Sequence, residues 1–305
     1  MKTFTNTTKF HIEGPCAVTL GKFDGIHRGH MRLMNRILEW KKAHPEGSST
    51  VFSLNVRDEK LIMTLEEQKD FLEALGVDCL VQCPFVPEIY MMSPEQFVER
   101  ILVRSLGAAS VFVGEDFRFG HDRLGDAAFL QEAGGRYGFE AYIEPDEMYE
   151  GKKISSTFVR EALEQGDVAL ARNLLGRPYS LSGLVVHGEH LGSRLGMPTA
   201  NLIPAGGKLL PRRGVYVSRT SLDGAVYPSI TNVGTKPTVD GTYMGAETFI
   251  YDVERELYGE TITVELLQFF REEKKFAGID ALKAQIRMDI ARGEAYFNEQ
   301  SVVLS

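Results

Sequence analysis

Taken as a string of apolar and polar positions, the chain changes rhythm once. In its first half, short apolar runs at residues 17–20, 50–54, 78–83, 110–113 and 140–143 alternate with segments of helical period. Leu33, Ile37 and Trp40, beside Met34 and Leu38, make one apolar helix face. Thr64-Leu65-Glu66-Glu67 is a capping-box start for a helix that reaches Leu75 and stops at Gly76. Ser93-Pro94-Glu95-Gln96 is a second capped start, with proline at the first helical position, for a helix ending near Gly107. A further helix is expected over 126–137. Alternating strands and helices predict a parallel sheet covered on both faces, with ligands beyond the carboxyl ends of its strands.

A short helix over 167–175 and the stop Gly176-Arg177-Pro178 close this half. The period then falls to two. Short alternating runs at 181–187, 214–219, 226–233, 247–252 and 261–270, separated by Gly and Pro, predict an antiparallel barrel. Asp280 reads as the cap of a final helix whose stripe Leu282, Ile286, Ile290 packs on that barrel. The expected domains are residues 1–176 and 177–305, with no internal repeat and no low-complexity tract.

Composition narrows the partners. The 305 residues suit two domains, and 43% hydrophobic with 25% charged residues is an ordinary globular balance. The net charge of −8 and the lack of a long basic run predict no nucleic-acid partner. Cys16, Cys79 and Cys83 lack metal-type spacing, and the latter two fall in an apolar run. They read as buried thiols of a reducing compartment. The first ten residues hold no apolar signal core, and no apolar run approaches about eighteen residues, so a cytoplasmic protein without a membrane partner is expected.

Four segments hold candidate chemistry. Residues 18–30, V-T-L-G-K-F-D-G-I-H-R-G-H, pass from a strand through a glycine turn to a helix start. Free N–H groups and the positive end of the helix dipole converge there, which suits phosphate. Gly21, Phe23, Asp24, Gly25 and Gly29 shape the turn, and His27 and His30 can stabilise charge that builds during transfer. Residues 113–125, V-G-E-D-F-R-F-G-H-D-R-L-G, leave the fourth strand. Asp116, Phe117 and Phe119 suit a flat phosphorylated ligand, and equally an ordinary loop with its aromatics tucked into the core. In I-S-S-T-F-V-R, 154–160, Ser155 or Ser156 can cap a helix, Thr157 follows, and Arg160 lies near its positive end, where a cation suggests an anionic ligand. In G-E-H-L-G-S-R-L-G-M-P-T-A-N, 188–201, Gly188, Gly192 and Gly196 let amides approach phosphate, and Thr199 and Asn201 offer neutral oxygens for magnesium. His187 and His190 have no third metal ligand in view.

These segments, in this order and over nearly the whole chain, resemble the bacterial bifunctional riboflavin kinase/FAD synthetase (FMN adenylyltransferase) family. The resemblance implies an α/β nucleotidyltransferase domain with a Rossmann-like parallel sheet, followed by a Greek-key-type barrel with a terminal helix. It implies ATP on residues 21–30 and on Ser155, Ser156, Thr157 and Arg160, with flavin near Asp116, Phe117 and Phe119. In the second domain it implies ATP at Gly188, Gly192 and Gly196, magnesium on Thr199 and Asn201, Glu247 as general base and Arg271 toward the flavin. Residues 232–238 and 271–276 match further family segments. Lys22, Ser193, Met197 and Phe249 depart from common family residues, and Arg194 follows Ser193 at once. The activity implied is phosphorylation of riboflavin to FMN, then adenylylation of FMN to FAD. The alternatives are an adenylyltransferase with an impaired kinase, or a flavin-binding regulator.

Overall fold

A computed structural model describes residues 1–55, 60–187, 197–238 and 241–303, which form two compact units, Met1–Ser156 and Thr157–Ser305. In the first unit, the apolar runs become strands β1 (Lys2–Thr5), β2 (Cys16–Gly21), β3 (Ser48–Asn55), β4 (Cys79–Pro84), β5 (Ala108–Gly114) and β6 (Glu140–Glu144). They form one parallel sheet in the order β1-β4-β3-β2-β5-β6. Strands β2, β3 and β4 step one way, β5 and β6 the other, so the winding reverses between β2 and β5. Such a switch point opens a crevice at the carboxyl ends of its two strands. Edge strand β1 was not expected, because its residues are exposed or half-buried and carry no apolar pattern.

Helices cover the sheet as the periodicity predicts. Helix α1 (Arg28–Ala43) buries Leu33, Met34 and Ile37, and α2 (Leu65–Leu75) starts on the complete Thr64/Glu67 capping box. Two short turns follow, α3 (Pro87–Tyr90) and α4 (Pro94–Phe97), and α4 runs on as a π-helix over Val98–Ser105 before β5. Helix α5 (Ala127–Tyr137) is capped by the Asp126 carboxylate, and the small hairpin β7 (Met148–Tyr149) and β8 (Lys152–Lys153) leads to the second unit.

The second unit begins with α6 (Ser156–Gln165, its first residue belonging to unit one) and α7 (Val168–Leu175), capped by Asp167. A closed antiparallel barrel follows: β9 (Tyr179–Val186), β10 (Ala200–Pro204), β11 (Gly214–Leu222), β12 (Ala225–Thr238), β13 (Gly241–Ile250) and β14 (Thr261–Arg271), in the order β10-β13-β12-β11-β14-β9. Five strands fall on the expected runs; β10 was hidden in a glycine- and proline-rich stretch. Helix α8 (Ile279–Val303) closes the chain. Asp280 is not its cap: the helix starts one residue earlier, and Asp280 lies within the first turn. The helix packs on the barrel as expected, with Ile290 against Val215, Val217 and Ile230, and with Tyr251 Oη donating to Ile290 O at 2.5 Å.

Candidate functional site

The first site lies beyond β2 and β5, on either side of the switch point. The turn after β2 is held by its own carbonyls. Ser53 Oγ donates to Lys22 O (3.2 Å), Gln68 Nε2 to Phe23 O (3.4 Å) and Ser156 Oγ to Asp24 O (2.8 Å). Asp24 Oδ1 accepts from Met63 N–H at 3.2 Å. Phe23 and Ile26 are buried and held at φ of 48° and 39°. Large side chains avoid that region, so the surrounding bonds fix a strained backbone. Gly25, at φ 87°, has no room for a side chain, since a Cβ there would lie 2.8 Å from Ile62.

This turn delivers His27 to the cap position of α1, and the helix has no acidic residue in its first turn. The His27 side chain does not cap the helix. Instead the His27 and His30 rings stack face to face, 3.6 Å between centroids and 19° apart. Phe23 meets His30 edge-on at 5.1 Å. Hence Gly21, Phe23, Asp24, Gly25, His27, Gly29 and His30 form one continuous turn and helix start, as the motif suggested.

Around it runs a charged lattice that the sequence did not reveal. Arg28, Arg32 and Arg36 lie one turn apart on α1. Arg28 pairs with Glu147 at 2.5 Å, Arg32 with Glu144 and Glu147 at 3.4 Å each, and Arg36 with Glu144 at 2.9 Å. Lys153 bridges Asp116 (2.6 Å) and Asp146 (2.7 Å). Residues beyond β5 divide in role. Phe119 belongs to the apolar core, between Phe97 and Phe129. Phe117 stacks on it at 5.6 Å and is only half-buried. Just past β4, Phe85 and Tyr90 form an exposed aromatic pair at 5.0 Å, which sequence reasoning passed over. Ser155 precedes α6, with Ser156, Thr157 and Arg160 upon it.

The second site is built on strands. Arg271 (β14) opposes Val215 (β11), Val215 opposes Asn232 (β12), Asn232 opposes Glu247 (β13), and Glu247 opposes Asn201 (β10). Directly opposed residues share a face, so one row across five strands holds two amides, a carboxylate and a guanidinium. Their neighbours Thr231 and Thr248 turn the other way and join a buried hydroxyl network with Ser218 and Ser229. Glu247 therefore stands mid-strand, not at the start of a run as expected.

Above this row a cavity of about 260 Å³ lies between the barrel wall and α8. Glu247, Asn232, Arg271, Thr199, Glu273, Lys274 and Asp289 supply its polar lining, and residues such as Met197, Phe249, Phe276, Ile286 and Ile290 its apolar walls. Arg271 is fixed by Asp289, through Nε–Oδ1 at 3.0 Å and Nη2–Oδ2 at 2.6 Å, and Gln285 braces Asp289 at 3.0 Å. Both members of that ion pair are largely buried. The Glu273 carboxylate lies against Gly234, where any Cβ would collide with it. Thr199 Oγ1 donates to Glu247 Oε1 at 2.7 Å. A second cavity, about 210 Å³, is lined by Pro198, Thr199, Ala200, Thr248 and residues 253–258. Thr199 lines both cavities. Gly188, Gly192 and Gly196, with His190 and Ser193, lie outside the described residues. The His187 ring stacks on Tyr258 at 3.8 Å. Among the described residues, no three His, Cys, Asp or Glu cluster as a metal cage.

Comparison with known proteins covers both sites. Residues 9–158 match the FAD synthetase family and residues 175–297 the riboflavin kinase family. The chain is 37% identical over 291 residues to a bifunctional riboflavin kinase/FMN adenylyltransferase of Escherichia coli (strain K12), covering 92% of this chain and 93% of that one. Its counterpart in Bacillus subtilis (strain 168) is 32% identical over 319 residues, covering 98% and 99%. A crystal structure described as a macrolide-efflux protein from Streptococcus pneumoniae superposes with a TM-score of 0.84 at 29% identity, covering 96% of this chain and 98% of that one. No helix among the described residues is long and apolar enough to cross a membrane.

Proposed function

The chain belongs to the bifunctional riboflavin kinase/FMN adenylyltransferase family, and from that premise we propose where each step occurs and which side chains carry it. The activities are transfer of the ATP γ-phosphoryl group to riboflavin, giving FMN and ADP, and adenylylation of FMN by a second ATP, giving FAD and pyrophosphate. Residues 1–176 are the adenylyltransferase and 177–305 the kinase.

In the kinase, riboflavin occupies the apolar cavity under α8 and ATP the more polar one beyond Thr199. The observation that carries this reading is the Thr199–Glu247 contact where the two cavities meet. A carboxylate there can take the proton of the attacking primary alcohol and align its oxygen with the γ-phosphate. Arg271, held rigid by Asp289, faces the flavin. By family resemblance, Gly188, Gly192 and Gly196 serve the phosphates.

Magnesium fits the same corner. Thr199 Oγ1 gives its hydrogen to Glu247 and so turns lone pairs outward, and Asn201 opposes Glu247 across the ladder. Neutral oxygens completed by phosphate and water suit a magnesium shell better than an all-protein cage. When bound, the ion neutralises charge on the transferred phosphoryl group.

In the adenylyltransferase, the α-phosphate of ATP sits on the Gly21–Gly29 turn against His27 and His30, with Ser155, Ser156, Thr157 and Arg160 as further contacts. FMN lies along Asp116 and the exposed side of Phe117, with Phe119 supporting that ring from the core. A cytoplasmic setting accords with three buried free thiols and soluble substrates.

Supplying riboflavin, ATP and magnesium and separating the flavins by chromatography tests the whole reading. FMN should appear first and FAD second. A fragment of residues 157–305, the compact unit with its two leading helices, should make FMN and no FAD. FAD production from FMN by that fragment, or no FMN at all from the full chain, overturns the assignment of steps to halves.

A further inference from the structure

Asn232 is the one polar member of the five-strand row without an assigned task. It lies between Val215 and Glu247 in register, and its side chain lines the cavity under α8. Its Oδ1 is buried and has no hydrogen-bond partner among the described residues. Buried amide oxygens are almost always paired, and one left unpaired costs free energy comparable to a lost hydrogen bond. Two neighbours in the same cavity are already committed: the Glu247 carboxylate to Thr199, the Arg271 guanidinium to Asp289. Lys274 also lines the cavity, and the chain gives it no hydrogen bond to Oδ1, so the oxygen is open to a donor on whatever fills the cavity.

Position identifies the kind of group. Directly opposed residues on an antiparallel ladder stand about 4.5–5.5 Å apart. A polyol carrying its terminal hydroxyl to Glu247 passes an inner hydroxyl by Asn232, with the flat ring directed to the apolar wall of Phe249, Ile286 and Ile290. A hydroxyl also answers a carboxamide in either orientation, since it can donate or accept. We propose that Asn232 is a positioning and specificity residue of the kinase step, holding a secondary hydroxyl of the sugar-alcohol chain so that the terminal hydroxyl meets Glu247. This rests on the kinase reading of the cavity.

The test uses the full-length enzyme, riboflavin, and its 2′-, 3′- and 4′-deoxy analogues. Asn232→Ala should weaken riboflavin binding about tenfold, the size of one satisfied hydrogen bond, and lower kcat as the chain loses alignment. For one deoxy analogue, wild type and Asn232→Ala should bind equally, because the partner hydroxyl is already gone. Asn232→Ser, which keeps a short polar group, should recover part of the loss and serves also if the alanine variant folds poorly. Equal losses for riboflavin and for all three analogues would show a merely structural role and overturn the proposal. Unchanged riboflavin affinity in a folded Asn232→Ala or Asn232→Ser protein would do the same. Failure of the wild-type chain to phosphorylate riboflavin would instead strike the kinase reading itself, so the two failures are distinguishable.

Discussion

The two sites handle the same class of chemistry by opposite constructions. The site beyond β2 and β5 stands on turns and a helix start: strained residues Phe23 and Ile26, backbone N–H groups, and a lattice of Arg and Glu pairs. The barrel site stands on strand interiors, where register alone brings Arg271, Asn232, Glu247 and Asn201 into one row. A helix terminus offers a diffuse positive field suited to a polyphosphate. A ladder offers discrete side chains at fixed spacing, suited to aligning one hydroxyl with one phosphoryl group. Loss of a single side chain should therefore be sharper in the barrel than in the turn.

The largest effect expected is at Glu247. Glu247→Gln keeps size and the hydrogen bond from Thr199 but removes the base, so FMN formation should fall by about 10²- to 10⁴-fold. FAD formation from supplied FMN should be unchanged. Wild-type riboflavin phosphorylation by this variant would remove Glu247 from the chemistry and erase the contrast between the sites.

Next come the stacked histidines. Either His27→Ala or His30→Ala should lower FAD formation by about 10²- to 10³-fold, the range for loss of one preorganised donor, while FMN formation persists. Because the rings touch at 3.6 Å, the double variant should cost less than the product of the singles. Full additivity would show that the stack does not act as a unit.

How much of this was legible differs between the halves for a physical reason. In the first unit, local signals coincide with the site: the capping box at Thr64, the apolar strands, and the turn from Gly21 to His30 are contiguous in sequence. What escaped notice there was long-range, namely Arg28 against Glu147 and Arg36 against Glu144, more than a hundred residues apart. In the barrel nearly everything is long-range. A period of two tells which residues share a face within one strand, yet not which strands adjoin or in what register. Asn201 was legible only as a neutral oxygen beside Thr199, Glu247 was reached through family resemblance, and Asn232 only as part of a matched segment. Strand β10 and the start of α8 were misread or missed where Gly, Pro and Asp gave signals serving turns as well.

A smaller effect sharpens the aromatic part of the first site. Phe119 is core, whereas Phe117 has one face on Phe119 and one side toward solvent. Phe117→Ala should weaken FMN binding by about 1 kcal/mol, the scale of one aromatic contact. Circular dichroism should show an unchanged fold. Unaltered FMN affinity in the folded variant would reassign Phe117 to packing alone and direct attention to the exposed Phe85–Tyr90 pair.

The smallest effect separates the two units by pH. All three cysteines lie in the parallel sheet, on β2 and β4, and are free and buried. Burial pushes the Cys16 thiol from 9.0 up to about 11 and those of Cys79 and Cys83 up to about 12. The folded state thus keeps protons that the unfolded chain releases above pH 9. A raised folded value means stability fully present below the unfolded value and lost as pH climbs from 9 toward 11. For Cys16 alone, the linkage amounts to about 0.8 kcal/mol at pH 9.5. The barrel holds no thiol, and its buried Tyr216 and Tyr251, also raised by burial, start from the ordinary phenol value of 10.0 rather than a thiol's 9.0, so its loss sets in at higher pH. The only tryptophan, Trp40, lies on α1, so its fluorescence reports the first unit. The urea midpoint followed at Trp40 should fall between pH 8 and 9.5, and Cys16→Ala should flatten that fall by about 0.8 kcal/mol whatever it costs at pH 8. An equal pH slope in wild type and Cys16→Ala would mean that the thiol ionises alike in folded and unfolded chains, contrary to its burial on β2.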